Sequence, residues 1–299
     1  MLEVVVLSGK GGTGKTSITS SFAALSYNAV FADCDVDAAD LHLILEPEVK
    51  EKHEFYSGYE AEIIEEKCIS CGKCSEVCRF DAISIENNTF SVNSLCEGCG
   101  VCVNFCPSNA ISFDKSLTGE WYLSDTRLGQ LVHAKLRTAA ENSGKLVTKV
   151  KNEARLYAEK ESLSLIIVDG PPGTSCPVIA SITGSDIVVL VTEPSLSGIH
   201  DMERVHKLAT HFKIPTAICI NKWDINPENS ELIEKYAFDN NCIFLGKISY
   251  SPIFTKAQIE SRSVVEIDDG KASIEIVRIW AALSKELKIL KDKKLAKKQ

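Results

Sequence analysis

The sequence has no apolar run long enough to cross a membrane, and its start, M-L-E-V-V-V, leads directly into a predicted strand without the pattern of a signal peptide. It also lacks an excess of positive charge, because 33 lysines and arginines face 41 aspartates and glutamates, for a net charge of −8. This balance argues against nucleic-acid binding through the whole surface. We therefore expect a cytoplasmic protein without nucleic-acid partners and without stable membrane association.

Signatures of covalent catalysis are missing as well. Neither a Ser-His-Asp nor a Cys-His nucleophile arrangement can be recognised, so we predict no covalent intermediate on a side chain. The six histidines are scattered without the spacing of metal ligands, at His42, His53, His133, His200, His206 and His211. The length of 299 residues suggests one large or two modest domains.

A glycine-rich stretch near the start of the chain predicts a phosphate-binding loop. Residues 8–17 read S-G-K-G-G-T-G-K-T-S, between an apolar run at 4–7 and a segment of helical character at 17–27. Glycines let the backbone turn its N–H groups towards phosphate oxygens, and the start of a helix adds partial positive charge. In this pattern, G-x-x-x-x-G-K-T, Lys15 can reach the β- and γ-phosphates and the Thr16 hydroxyl can bind Mg²⁺.

Cysteine, in contrast, is abundant. Twelve cysteines in a chain of this kind indicate metal binding rather than disulfides. Eight of them form two copies of C-x2-C-x2-C-x3-C, and each member of the second copy lies 28 residues after its counterpart. The segment A-I-S that follows each copy recurs at the same distance, which indicates an internal duplication. The eight are Cys68, Cys71, Cys74, Cys78, Cys96, Cys99, Cys102 and Cys106.

The rest of the chain alternates buried apolar runs with amphipathic segments, as is typical of a parallel sheet covered by helices. The sequence predicts strands at 3–8, 29–32, 121–123, 163–169, 186–192, 214–220 and 242–248, and helices at 17–27, 145–161, 197–212, 251–261 and 273–290. Residues 45–66 are polar and acidic and predict no element, and the basic tail at 288–298 is expected to be frayed. Cys34, Cys219 and Cys242 are interpreted as small packing residues.

Lys10, a second lysine within the glycine loop, makes the sequence resemble the MinD/ParA/Mrp group of P-loop ATPases, which also contains the nitrogenase iron protein. The resemblance implies that Lys10 crosses a dimer interface to the partner's nucleotide, although a solvated loop lysine is the simpler interpretation. It also implies that Asp35 orients or activates the attacking water. Asp33 would then lie near the Mg²⁺ shell, and Asp169, at the end of the strand at 163–169, would bind Mg²⁺ through water.

The same resemblance suggests further nucleotide contacts. Gly173, in the turn P-P-G, would sense the γ-phosphate, Asn221 would contact the adenine edge, and the loop near Pro252 would pack by the base. The segment N-K-W-D at 221–224 also matches the guanine-reading motif of GTPases, so GTP stays open beside ATP. The predicted nucleotide-binding residues are Gly9, Lys10, Gly11, Gly12, Thr13, Gly14, Lys15, Thr16, Ser17, Gly173 and Asn221.

Cys176 lies seven residues after Asp169. In the nitrogenase iron protein, a cysteine at that offset binds a cluster shared across the dimer, which makes Cys176 a speculative bridging ligand. The simpler interpretation is a small residue at the start of a helix.

The cysteine repeat resembles the bacterial two-cluster ferredoxin, in which the fourth cysteine of each motif binds the other cluster. The resemblance implies one [4Fe–4S] cluster on Cys68, Cys71, Cys74 and Cys106, and a second on Cys78, Cys96, Cys99 and Cys102. One departure is visible, because Cys106 is followed by the usual proline whereas Cys78 is followed by Arg79. Zinc is the competing metal, since it also binds four thiolates.

Together these motifs predict an α/β P-loop NTPase, a mostly parallel sheet with helices on both faces, that carries an inserted small α+β ferredoxin-like domain. We expect the ATPase domain at 1–60 and 117–299 and the insert at 61–116. The resemblance implies ATP hydrolysis with Mg²⁺ in a dimer, formed with a second copy or a paralogue, that gates electron transfer to a partner metalloprotein. The alternatives are cluster assembly and carriage to an apo metalloprotein and, less favoured, spatial organisation of the MinD/ParA kind.

Overall fold

The structure, a computed structural model, describes residues 1–137 and 143–296. Its strands are β1 Leu2–Leu7, β2 Ala29–Asp33, β3 Glu48–Ile63, β4 Ile83–Glu86, β5 Thr89–Val92, β6 Ile111–Thr126, β7 Gly129–Leu136, β8 Leu165–Asp169, β9 Ile187–Thr192, β10 Thr216–Asn221 and β11 Ile243–Ile248. Its helices are α1 Lys15–Leu25, α2 Leu41–Leu45, α3 Lys73–Val77, α4 Val101–Phe105, α5 Ser143–Lys160, α6 Cys176–Ile182, α7 Leu196–His211, α8 Pro227–Asp239, α9 Ile253–Ile259, α10 Val264–Ile267 and α11 Lys271–Ala296. None of the helices in these two ranges combines the length and the apolar character that a membrane crossing requires.

Nine strands form one sheet in the order β11-β10-β9-β1-β8-β2-β7-β6-β3. From β11 to β7, every pair of neighbours is parallel. All six residues of the inner strand β1 are buried, which explains why its sequence, apart from Glu3, is an apolar run rather than an alternating one. The predicted mostly parallel sheet is confirmed.

Helices cover both faces of this sheet. Val4 and Val6 of β1 pack in one core cluster with Phe22 of α1 and Ile276 of α11. Because successive residues of a strand point to opposite faces, Val5 belongs to the other face. On that side α5 packs against β2 and β8 and buries Leu146. The phosphate loop, between β1 and α1, is therefore fixed by elements with large buried surfaces.

Three expectations about secondary structure are corrected. Residues 45–66, for which no element was expected, include the whole of β3, whose exposed residues suit its position at the edge of the sheet. Helix α8 was not predicted, although Pro227 at its start and the Asn226 side chain, which accepts a hydrogen bond from Asn229 N, are helix-start signals. The expected frayed tail is wrong as far as Ala296, because α11 continues to that residue, and residues 297–299 lie outside the described part.

The chain divides into two compact units. The first, called the P-loop unit below, comprises Met1–His53, Glu120–Leu136 and the residues from Ser143 onward. The second, called the cluster insert, comprises Glu54–Gly119 together with Arg137 among the described residues. Both β3 and β6 contribute residues to both units, so the chain leaves the P-loop unit within one strand and returns to it within another.

The cluster insert contains two short helices and a hairpin. Helices α3 and α4 have five residues each, and each follows a glycine with φ of 73°, Gly72 or Gly100. Strands β4 and β5 pair antiparallel across Asn87 and Asn88, both with positive φ, as a two-residue turn of type I′ requires. None of the residues in α3 or α4 is buried, so packing alone gives these helices little support.

Candidate functional site

The loop between β1 and α1 has the curled backbone that its glycines predict. Gly12 and Gly14 have φ values of 77° and 88°, a left-handed conformation that favours glycine. A Cβ atom on Gly14 would collide with the Asn221 side chain, so only glycine permits this approach. The loop borders a cleft of about 390 Å³ that is also lined by Asp35 and Pro171.

Lys15 and Thr16 contact the buried carboxylate at the end of β8. The Lys15 ammonium lies 2.9 Å from Asp169 Oδ2 and 3.6 Å from Asp35 Oδ2. The hydroxyl groups of Thr16 and Thr19 donate hydrogen bonds to Asp169, at 2.7 and 2.8 Å. Burial acts to lower the pKa of Lys15, but attraction to the surrounding carboxylates outweighs it and holds the pKa above its usual value. Lys15 therefore stays charged, as phosphate binding requires.

The two acids after β2 are in different environments. Asp33 is fully buried, and its carboxylate accepts hydrogen bonds from the backbone N–H groups of Asp35 and Leu41, at 3.2 and 3.1 Å. Burial and the neighbouring Asp169 raise the pKa of Asp33 well above its usual value. Asp35 lines the cleft, and burial, only partly offset by Lys15, raises its pKa to about 6. Asp35 is therefore the acid placed to meet water or ligand, while Asp33 fixes the segment between β2 and α2.

Lys10 is held within its own chain. Its ammonium lies 2.7 Å from Glu193 Oε1 and donates to the hydroxyls of Ser195 and Ser197, both at 3.0 Å. The other oxygen of Glu193 lies 3.0 Å from Lys222 Nζ. Burial alone would raise the pKa of Glu193, but the two lysines lower it below its usual value. Glu193 is thus a carboxylate shared by two cations beside the phosphate loop.

The segment N-K-W-D at 221–224 is engaged by the protein itself. Asn221 is buried, and its amide donates to Thr13 O at 2.8 Å. Lys222 donates to Gly12 O at 3.0 Å. Asp224 accepts a hydrogen bond from Tyr250 N at 2.7 Å. These contacts join β10 to the phosphate loop and to the segment that follows β11.

A second cleft, of about 320 Å³, adjoins the phosphate loop. It is lined by Asn221 and Lys222 on one side and by Tyr250, Phe254 and Gln258 from the segment after β11 on the other. The sequence suggested that the loop near Pro252 packs by the base, and two residues of this loop, Tyr250 and Ser251, do line the cleft. An aromatic and amide-lined cleft of this size suits a nucleotide base.

The turn after β8 contacts the phosphate loop through its backbone. Gly173, with φ of 88°, donates its N–H to Ser8 O at 3.0 Å. This N–H can therefore contact a phosphate only after it leaves Ser8. Cys176, the first residue of α6, is exposed, and its neighbours Ser175 and Pro177 line the cleft. It therefore lies at the margin of the cleft that the phosphate loop borders.

The eight cysteines of the cluster insert surround two cavities. One cavity is lined by Cys68, Cys71, Cys74 and Cys106. The other is lined by Cys78, Cys96, Cys99 and Cys102. The last cysteine of each sequence motif thus lies with the first three of the other motif, the arrangement that the ferredoxin resemblance implies. The ligand assignment itself remains a prediction.

The duplication is repeated in backbone conformation. Positive φ values recur 28 residues apart, at Ser70 and Gly98, at Gly72 and Gly100, and at Asp81 and Asn109. The backbone N–H groups of Ala82 and Ala110 point at the sulfurs of Cys78 and Cys106, at 3.4 and 3.3 Å. Such donors stabilise a ligating thiolate, which carries no proton of its own. The residues present therefore fit iron–sulfur clusters.

The arrangement is less suited to a single ion. In the described ranges, no three histidine, cysteine or acidic side chains are close enough together to bind one metal ion. Four thiolates on one zinc, each at about 2.3 Å, would lie within about 4 Å of one another. Cysteines that are further apart than this suit a polynuclear cluster better.

Two residues beside the phosphate loop and its clefts were not found from the sequence. Glu193 directly follows the end of β9, a position where ligand-binding side chains of parallel sheets gather, and this signal could have identified it. Gln258 lines both clefts and donates to Ser17 Oγ at 3.2 Å. It lies 241 residues after Ser17 and has no spacing that links it to the loop.

Comparison with known families and relatives supports the division of the chain into a P-loop unit and a cluster insert. Residues 61–113 match the family described as 4Fe-4S dicluster domain. The chain is 37% identical to the uncharacterized protein MJ0578 of Methanocaldococcus jannaschii over 234 residues. This matched region covers 77% of this chain and 81% of the relative. It is 28% identical over 287 residues to MJ0579 of the same organism, covering 94% of this chain and 97% of the relative.

Solved structures with the same fold include the cell division ATPase MinD of Pyrococcus furiosus, at 16% identity and a TM-score of 0.58 over 95% of this chain and 98% of that one. The septum site-determining protein MinD of Pyrococcus horikoshii, complexed with Mg-ADP, has 15% identity and a TM-score of 0.58 over 97% and 98%. A ParA family ATPase of Chlorobium tepidum has 17% identity and a TM-score of 0.53 over 94% and 98%. The predicted fold class is confirmed, and the chain belongs to the family of MJ0578, combining a MinD/ParA-type P-loop fold with a 4Fe-4S dicluster domain.

Proposed function

We propose that this protein hydrolyses Mg·ATP and that nucleotide-dependent closure of a dimer gates electron transfer from two [4Fe–4S] clusters to a partner metalloprotein. The observation that carries the proposal is that one chain holds both a phosphate-loop cleft with its acids and two cysteine-lined cavities. The chain runs from Asp35 through α2 into β3, which enters the cluster insert. A change at the cleft thus has a short covalent route to the insert.

The residues of the cleft have the chemistry that phosphoryl transfer needs. Lys15 and the loop N–H groups would stabilise charge on the phosphates, and Thr16 with Asp169 would hold Mg²⁺. Asp35, half-buried with a pKa of about 6, would be ionised at neutral pH and would orient the attacking water. No covalent intermediate is needed, because positioning and electrostatic stabilisation supply most of the catalysis in this reaction class.

The acids of the cleft are tied to the element that leads into the insert. The buried Asp33 carboxylate accepts from Leu41 N, the first residue of α2, and β3 begins three residues after α2 ends. Movement of the segment between Asp33 and Leu41 on hydrolysis would therefore be passed to α2 and along β3. This connection is the reason we favour coupling over two independent activities.

Dimer closure would require Lys10 to leave Glu193. An ion pair at 2.7 Å with two hydroxyl contacts holds Lys10 in its own chain, and the phosphates of a partner's ATP would be a stronger anion to compete for it. The partner subunit is either a second copy or a paralogue. The match to two proteins of one organism supports the possibility of a paralogue pair.

ATP is the favoured nucleotide. Guanine recognition by N-K-x-D uses both carboxylate oxygens of the aspartate, and one of them, Asp224 Oδ1, already accepts a hydrogen bond from Tyr250 N at 2.7 Å. The P. horikoshii MinD structure was solved with Mg-ADP, which supports an adenine nucleotide on this fold.

The clusters, when bound, would supply one-electron redox chemistry, and the chain's cysteines and N–H donors would set their potentials. Cluster carriage to an apo metalloprotein is the second candidate. It is favoured by the exposure of one cysteine in each cavity, Cys71 and Cys99, because exposed ligands are accessible to an acceptor.

Protein prepared without oxygen would test these proposals together. We expect about eight iron atoms per chain, four for each cluster, and light scattering should show a dimer when Mg·ATP is added to Asp35→Ala. For electron transfer, the dithionite-reduced protein should reduce a partner captured by the Asp35→Ala dimer only with Mg·ATP, and its iron content should not change.

Two results would contradict the first proposal. Iron-free protein, or protein that stays monomeric with Mg·ATP, would exclude the coupling. Loss of iron to apo-aconitase, at a rate faster than release into a chelator, would instead favour carriage. Lys15→Ala is the matched control, because it should keep its iron but show no ATP-dependent dimer.

A further inference from the structure

The two cluster cavities are duplicates, but at three equivalent lining positions the two copies have side chains of different polarity or charge. Residues 28 apart occupy equivalent places around the two sets of cysteines. In the cavity of Cys68, Cys71, Cys74 and Cys106, called cavity one, the differing residues are Ile69, Lys73 and Ser108. In the cavity of Cys78, Cys96, Cys99 and Cys102, called cavity two, their counterparts are Glu97, Val101 and Phe80.

Ser108 gives cavity one a donor that cavity two lacks. Its hydroxyl lies 3.7 Å from the sulfur of Cys106, and because a ligating thiolate has no proton, the hydroxyl must be the donor. Phe80, the counterpart, has no donor. The backbone N–H···S contacts to Cys106 and Cys78 are nearly equal, at 3.3 and 3.4 Å, so they do not distinguish the cavities.

The charged residues that line the two cavities also favour reduction of the cluster in cavity one. Glu97 lines cavity two, where cavity one has the apolar Ile69. Lys73 lines cavity one, but its ammonium lies 2.9 Å from Glu76, so its charge is largely offset. Arg79 is next to Cys78 but does not line cavity two, whereas Glu97, which is also exposed, does line it. The decisive differences are therefore the Ser108 hydroxyl and the Glu97 carboxylate.

We propose that the cluster of cavity one has the higher reduction potential, so that an electron entering the insert comes to rest there. The inference rests on the cluster binding put forward above. Reduction takes one electron, [4Fe–4S]²⁺ + e⁻ → [4Fe–4S]⁺, and adds negative charge to the cluster. A hydrogen-bond donor to a ligating sulfur stabilises that charge, and a nearby carboxylate opposes it. The cavity two cluster, once reduced, would thus pass its electron to the cluster of cavity one.

An EPR-monitored potentiometric titration of the whole protein, reduced by dithionite with mediators, tests this order. Two one-electron transitions should appear. Ser108→Ala should lower only the upper potential, and Glu97→Gln should raise only the lower one. Each change should alter the ratio of reduced to oxidised cluster at fixed potential by about three- to tenfold, or about 30–60 mV.

Ser112→Ala and Glu86→Gln are the matched controls, because the Ser112 hydroxyl contacts Glu62 O and Glu86 is an exposed residue of β4 that lines neither cavity. They should leave both potentials in place. Two transitions at one potential in protein with full iron, or a Ser108→Ala effect on the lower transition, would overturn the inference alone. Protein without iron would overturn the proposed function as well, so the two failures can be told apart.

Discussion

The P-loop unit and the cluster insert reach ordered sites by different physical means. In the P-loop unit, the strand before the phosphate loop is buried along its whole length, and helices cover both faces of the sheet. In the cluster insert, α3 and α4 bury no residue, and its few buried apolar side chains are mostly alanine: Ala61, Ala82, Phe90, Ala110 and Ile111.

This difference indicates what stabilises each site. A large core can hold Lys15 beside the buried Asp169 without help from a ligand, because packing fixes the backbone of both α1 and β8. A segment with so small a core cannot repay the conformational entropy of its loops by apolar burial. In the insert, bonds from cysteine to metal must supply much of the folding free energy.

Removing cluster ligands should produce the largest effect. If the insert stayed folded without its clusters, the proposed difference in stabilisation between the two units would be wrong. We expect Cys74→Ser with Cys102→Ser to lose both clusters and to unfold the insert, since each cavity loses one of its four thiolates. The P-loop unit should stay folded and bind nucleotide. Iron analysis and hydrogen exchange of 61–113 against 165–192 would measure this.

Cys242→Ser is the matched control, because Cys242 is a half-buried cysteine of the P-loop unit. It should keep its iron. Native exchange protection across the insert of the iron-free double variant would show that its own packing suffices.

Lys15→Ala should give the next largest effect. It tests whether a change in the P-loop unit leaves the cluster insert unaffected. The change removes the cation that the phosphates need, so ATP hydrolysis should fall by about 10²–10³-fold or more. Iron content should be unchanged, because the insert does not draw its stability from this site. Steady-state ATPase rates and iron analysis of the same preparation would test both points, and concurrent loss of iron would contradict separate stabilisation.

The pH dependence of hydrolysis should reflect Asp35. Burial raises its pKa to about 6, and the carboxylate must be ionised to orient water, so kcat/KM should fall as the pH drops through about 6. The Asp35→Asn variant should be slow and should lack this acid limb. Rates at pH 5–8, with iron measured at each pH as a control for cluster loss, would check the assignment. An unchanged limb in the variant would assign it to another group.

Glu193→Gln should have a smaller effect, on assembly. It removes the carboxylate that holds Lys10 in its own chain, so the ATP-dependent dimer should become about fivefold tighter, as expected for an ion pair of about 1 kcal/mol. Analytical ultracentrifugation with Mg·ATP would measure the dissociation constant. Glu203→Gln, on the following helix α7, should change nothing, and a weaker dimer in Glu193→Gln would show that Glu193 supports closure instead.

Asp224→Asn should have the smallest effect. An asparagine oxygen can still accept from Tyr250 N, so ATP affinity should stay within about twofold, since one acceptor replaces another. Calorimetry with ATP and GTP would test this. If the wild type bound GTP tightly and the variant lost that binding, the N-K-W-D segment would read guanine after all.

Local patterns were sufficient to predict both sites in outline. The phosphate loop and the cysteine repeat are set by short spacings, and glycine or metal chemistry leaves few conformations for them. For the same reason the apolar runs of β1, β8, β9 and β10 were predictable, since burial on both faces requires continuous apolar sequence. The polar edge strand β3 was missed because charged and polar residues predominate in it, although Phe55, Tyr59, Ala61 and Ile63 all lie on the same side of the strand period.

The sequence by itself therefore determined the phosphate loop and the two cysteine motifs, because each is encoded within about ten consecutive residues. It also determined the fold class, because buried parallel strands require apolar runs along the whole chain. Only the tertiary structure decided that Glu193 holds Lys10 and that Asp224 accepts a hydrogen bond from Tyr250 N. The physical reason is distance along the chain: Lys10 and Glu193 meet only because β1 and β9 are neighbours in the sheet, and no local preference of either residue specifies that meeting.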